Sequence, residues 1–99
     1  MNITEFESSL SQPVAPTELS NALTALWYAG KGDWEKAHHY CQEEEGTPDS
    51  DWVHAYLHRD ENDLPNAKYW YHRAGRDVPQ CLPKEEWTAM VTELLAMQN

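Results

Sequence analysis

Ninety-nine residues carrying 17 acidic and seven basic side chains, a formal charge of −10, suffice for one domain with one modest core. Residues 33–63 hold ten acids against two bases, while residues 64–99 are balanced; with an acidic middle and no basic stripe to release counterions, the chain is not expected to bind nucleic acid. No apolar run approaches the ~20 residues of a membrane span, so no membrane association is expected either.

Residues 1–16 are polar and close on Pro13-Val14-Ala15-Pro16. They read as a loosely held arm with a short helical turn around Thr4 to Leu10, ahead of a single helical domain over 17–99. The opening lacks the basic and apolar regions of a signal peptide. Cys41 and Cys81 lack C-x-x-C spacing. Both points favour free thiols in a reducing cytoplasm.

The first domain helix is expected over about 17–31, with Thr17 as N-cap and Leu19, Ala22, Leu23, Leu26, Trp27 and Gly30 on one stripe at helical period. Gly30 and Gly32 punctuate its end. Asp33 caps the next helix, about 34–45, with Trp34, Ala37, His38 and Cys41 inward. The run Glu43-Glu44-Glu45 opposes the dipole of that helix and should fray it or attract a cation. A third helix, about 49–60, carries Trp52, Val53, Ala55, Tyr56 and Leu57. Asp63 caps a fourth, about 64–75, with Pro65 in its first turn and Leu64, Ala67, Tyr71 and Ala74 on its stripe. After Pro83, Trp87, Met90, Val91, Leu94 and Leu95 mark a fifth helix. No segment alternates with period two, so the expected class is all-α.

A self-similarity runs through this pattern at a spacing of 30: Ala25 aligns with Ala55, Asp33 with Asp63 and Ala37 with Ala67. At Ala55, Ala67, Tyr71, Ala74 and Pro79 the second helix pair resembles a tetratricopeptide repeat, and Ala67-Lys68-Tyr69-Trp70-Tyr71-His72-Arg73-Ala74-Gly75 resembles its Sel-type variant. The segment is also similar to a family of short bacterial proteins sharing an H-A-Y-L-H-R…N-A-x-Y-W-Y-x-R-A-G-R block, which brings no activity or ligand with it. The chain departs from the repeat pattern at Cys41, which holds an aromatic position, at Glu44, which holds a small one, and at His58, where the family has Tyr. Its spacing is also shorter than the usual period of about 34. The resemblance implies two helical hairpins closed by a C-terminal capping helix, four to five helices in all. It also implies a peptide-holding groove along the first helix of each pair.

Three constellations are candidates for function. Asp51, His54 and His58 fall on one face of the third helix and offer a metal three ligands, although packing or surface exposure is the favoured reading of two histidines at this spacing. His38 near Cys41 has the residue types of a nucleophile pair without a third orienting group, and Cys41 is read as structural. Tyr69, Trp70 and Arg73 combine aromatics with a guanidinium, as interface hot spots do, self-association included; the alternative is that the fifth helix packs on them. The leading expectation is therefore a non-enzymatic protein-interaction module without cofactor or metal. Its partner is a protein or peptide of basic character, held by Tyr28, Asp49, Asp51, Trp52, Tyr56 and His58. A small metal-binding protein or metal-dependent enzyme using Asp51, His54 and His58 is the alternative.

Overall fold

The first four helices begin where a short polar side chain accepts from a free backbone N–H. Asn2 and Glu5 form a reciprocal capping box, Ser20 accepts from Leu23 N, Asp33 from Lys36 N and Thr47 from Ser50 N. In the computed structural model, which describes residues 1–98, the helices are α1 (Ile3–Ser9), α2 (Asn21–Gly30), α3 (Trp34–Glu43), α4 (Pro48–Asp60), α5 (Leu64–Ala74) and α6 (Pro83–Gln98). The protein is all-α, 68% helical, with no strand among the described residues. None of these helices is long and apolar enough to cross a membrane.

Two boundaries and one cap differ from expectation. The first domain helix starts after Ser20 rather than at Thr17, because the Ser20 hydroxyl caps it and Gln98 Oε1 accepts from Ser20 N at 3.0 Å. The helix α3 stops at Glu43, before its three consecutive carboxylates are complete. The chain then turns through a left-handed Gly46, whose N–H donates to Asp51 Oδ1 at 3.0 Å. Asp63 stands at the N-cap of α5 but makes no capping bond; its carboxylate instead accepts from Asn66 Nδ2 at 2.7 Å.

The two hairpins, α2–α3 and α4–α5, turn in the same way 30 residues apart. Gly32 and Asn62 both have positive φ, 80° and 66°, and the next N–H closes back at 2.9 Å from Asp33 to Tyr28 O and 2.8 Å from Asp63 to His58 O. Asparagine is the side-chain-bearing residue that best tolerates this left-handed conformation, which explains its place opposite a glycine.

Packing arranges the helices in three layers. The central pair, α2 and α4, is buried along continuous runs, Ala22–Tyr28 and Ser50–Leu57. The helix α3 lies against α2 and α4, and α5 lies against α4. On the opposite side α6 crosses both central helices, with α1 packed on it. Ala37, Ala55 and Ala67 are fully buried, as the small residues of closely approaching helices must be. Leu23, Trp27, Tyr71 and Leu94 join the core, and Ala74 is half-buried.

Residues 1–16 are not a loose arm, and the helix count rises to six. Phe6 is fully buried, with its ring 5.7 Å from that of Trp87. Trp27 Nε1 donates to Ser9 Oγ at 2.9 Å, and Lys31 Nζ donates to Leu10 O and Gln12 O at 2.7 and 2.9 Å. Nor does α6 merely close one end of a stack. Trp87 reaches α2, donating through Nε1 to Leu26 O at 2.8 Å, and this approach is why position 30 is glycine. A Cβ there would stand 2.9 Å from Trp87 Cζ2.

Candidate functional site

The groove expected along α2 and α4 is occupied by α6 and α1. Tyr28, Trp52 and Tyr56 are buried rather than displayed. Tyr28 stacks on Tyr40, centroids 5.5 Å apart and rings within 3° of parallel. Trp52 lies under the Arg76 guanidinium at 3.5 Å. Burial pushes the Tyr56 phenol up from its ordinary pKa. What remains of the groove is a cleft of about 330 Å³ bordered by Glu7, Leu10, Tyr56, Asp60, Lys84 and Trp87.

The acidic candidates separate as well. Asp51 is buried and committed to Gly46 N, with Arg73 Nε 3.7 Å away, while Asp49 is half-buried in the first turn of α4. Asp51 therefore does not join His54 and His58. The third member of their cluster is His38, from the neighbouring helix. One ring nitrogen from each of His38, His54 and His58 lies within 4.8 Å of the others, and the Nε2 atoms of His38 and His54 share a hydrogen bond at 2.7 Å. His38 stacks on Trp34 at 4.6 Å, and His54 lies between His58 at 5.0 Å and Trp70 at 3.9 Å. Trp34 is itself held by donation from Nε1 to Leu57 O at 3.3 Å.

The surroundings of His38 and His54 disfavour protons on those two rings. His54, 3% exposed, is pushed down to about 3, first by burial and then by His38, His58 and Arg73. Burial, then His58, also lowers His38, with Glu61 and Glu45 pulling the other way. His58 Nδ1 donates to Glu61 Oε1 at 2.9 Å, and Asp63 Oδ2 stands 3.7 Å off. His54 Nδ1 is buried with no hydrogen-bond partner.

Cys41 makes no contact of nucleophile type with a histidine ring. Its Sγ donates to the His38 carbonyl at 3.3 Å, and burial pushes the thiol up to about 12, the inert form. Cys81 is free and half-buried.

On the outer face, Tyr69 is 55% exposed and sits edge-on to Trp70 at 5.3 Å. The Arg73 guanidinium lies 4.5 Å from the Trp70 ring and 5.9 Å from that of Tyr69. These three residues, expected to act together, do stand together.

Sequence reasoning missed one group. Glu86 is buried in the apolar stripe of α6, accepting from Tyr71 Oη at 2.6 Å and from Arg59 Nη1 at 2.8 Å, while Arg59 Nη2 donates to Cys81 O. Burial, then the Glu86 carboxylate, pushes the Tyr71 phenol up. The available signal was a glutamate four residues before Met90 on a face otherwise apolar.

Comparison of the chain with family models, with curated proteins and with solved structures finds no match.

Proposed function

We propose that the chain is a non-enzymatic protein-interaction module that docks a basic segment of a partner protein. The docking face is the outer side of α5 with the adjoining α3–α4 turn. The tetratricopeptide-like reading places docking on α2 and α4, but α6 and α1 cover those helices, and α5 is the better-supported surface. The observation that carries the proposal is Tyr69, exposed yet held edge-on to Trp70 with Arg73 over both rings. Rings fixed by their neighbours offer contact area with few rotamers left to freeze.

The partner's basic character rests on the acidic turn at the edge of this platform, since α5 itself carries exposed Lys68, His72 and Arg73 and no acid. The Arg73–Asp51 contact sets the C-terminal half of α5 beside the start of α4. Exposed Glu43, Glu44 and Glu45 immediately precede that start. Lysine or arginine side chains of a partner would be steered by these carboxylates, an effect that salt screens, and could rest on the Tyr69 ring.

A photo-crosslinking side chain at position 69, with one at position 92 on α6 as control, tests the proposal in source cells. Capture from position 69 alone is expected. With the captured partner purified, Glu43→Lys with Glu45→Lys should slow association and Tyr69→Ala should speed dissociation. A crosslinked dimer of this chain would assign the face to self-association, and capture from position 92 but not from position 69 would refute the proposal.

A further inference from the structure

We infer that His38, His54 and His58 form a binding site for one divalent late first-row transition-metal ion, of which zinc is the type, with three imidazole ligands and a fourth position open. This revises the expectation of no bound metal and does not depend on the α5 docking face. It also replaces the single-helix set of Asp51, His54 and His58 with one built across α3 and α4.

The geometry is close to what such an ion requires. A tetrahedral ion with metal–nitrogen bonds of about 2.0–2.1 Å holds its ligand nitrogens about 3.3 Å apart. His38 and His54 stand at 2.7 Å, somewhat closer than that, and all three ligand nitrogens lie within 4.8 Å of one another.

Packing alone gives the facing nitrogens one shared proton, since two neutral imidazoles can make the 2.7 Å contact only with a proton between them. His54 Nδ1 is buried without a partner in either tautomer, and an ion on Nε2 would leave its N–H so as well. An ion at the centre would use the facing lone pairs of His38 and His54 together, in place of that single shared proton.

The surroundings are those of a ligand set. Glu61 accepts from His58 Nδ1, which leaves the lone pair on Nε2, the carboxylate–histidine relation typical of metal-binding imidazoles. Trp34 and Trp70 fix the planes of His38 and His54. Glu45 and Glu61 act on His38 with negative charge that would offset the ion, while Arg73 opposes it from the His54 side. Three nitrogens with no thiolate suit zinc, copper, nickel or cobalt rather than calcium or magnesium, which take oxygen ligands.

Untagged full-length protein, stripped with a chelator, should be titrated with Zn²⁺ by calorimetry and with Co²⁺ by visible absorption near neutral pH. One ion per chain is expected. His38→Ala and His58→Ala should each weaken binding at least about tenfold, the smallest loss seen when even an outer-shell partner is removed. His39→Ala and His72→Ala, on exposed rings, and Asp51→Asn and Asp63→Asn should bind as the parent does. Circular dichroism must show parental helicity in each variant; where an alanine variant loses it, His38→Gln or His58→Gln takes its place. Absence of stoichiometric binding by the parent overturns the inference. So does loss of binding in the Asp51, Asp63, His39 or His72 variants with retention in those of His38 and His58.

Discussion

Replacing Glu86 with glutamine keeps the side-chain volume but removes the charge on which Tyr71 and Arg59 converge. In the parent, the two carboxylate oxygens accept at 2.6 and 2.8 Å, and the side chains of Glu86 and Arg59 are 4% and 12% exposed. Glutamine can accept from only one of these donors through its single oxygen; its amide group must face the other. Arg59 is then left with its Cys81 carbonyl contact and no counter-ion. Removing one partner of a buried pair costs about 3–5 kcal/mol; the retained shape and one surviving hydrogen bond place Glu86→Gln near about 3 kcal/mol. At about 4–8 °C per kcal/mol for a domain of this size, the midpoint of thermal unfolding should fall by roughly 12–24 °C. Tyr71→Phe removes one charge-assisted bond and should cost about 1.5–3 kcal/mol. Urea unfolding followed by circular dichroism on the parent, both single variants and the double variant completes a cycle. Its coupling energy should reach about 1 kcal/mol or more, because the two groups share a partner atom set. A Glu86→Gln variant within about 0.5 kcal/mol of the parent, or strictly additive single effects, would refute the network.

Ala67→Leu inserts a branched side chain between α5 and α4, where Ala67 is fully buried, and should cost about 1–3 kcal/mol in chemical denaturation. Phe6→Ala should cost about 3–5 kcal/mol, since α1 contributes a fully buried ring to the core; a change within error would return residues 1–16 to the status of a loose arm. In the folded protein at mildly alkaline pH, a thiol-specific disulfide reagent should label Cys81 and spare Cys41, whose pKa of about 12 and burial withhold the thiolate. Equal rapid labelling of both would show that the α3 core contact is wrong.

The helices from α3 onward were legible because punctuation and periodicity agree: Asp33 opens α3, Gly46-Thr47-Pro48 marks the turn before α4, Asp63 with Pro65 opens α5, and Pro83 precedes the stripe of α6. Phe6 was not legible as core, because a single apolar ring among polar residues has no period to reveal which way it points. The path of α6 was hidden for a different reason. An amphipathic stripe of Trp87, Met90, Val91, Leu94 and Leu95 serves equally to close the end of a stack or to lie across its face. Only the approach of Trp87 to Leu26 and Gly30 decides between them. The same limit applied to the histidines. His54 and His58 are visible as a pair because both sit on α4, whereas His38 joins them through the packing of α3 against α4. Asp51, one turn before His54, was the nearer choice on paper and was drawn away by Gly46 N and Arg73.

The crossing of α6 over the central helices also bears on how the chain acquires its shape. The two hairpins close through near neighbours, but the Trp87–Leu26 bond joins residues 61 apart in sequence. Loop-closure entropy delays such contacts, so α2–α5 should assemble first and α6 should dock late. An element that docks late through a few long-range anchors is also a natural unit of sub-global opening. Amide hydrogen exchange would then show α6 opening at lower free energy than α2 and α4. During those openings Trp52 and Tyr56 would meet solvent for as long as α6 stays away.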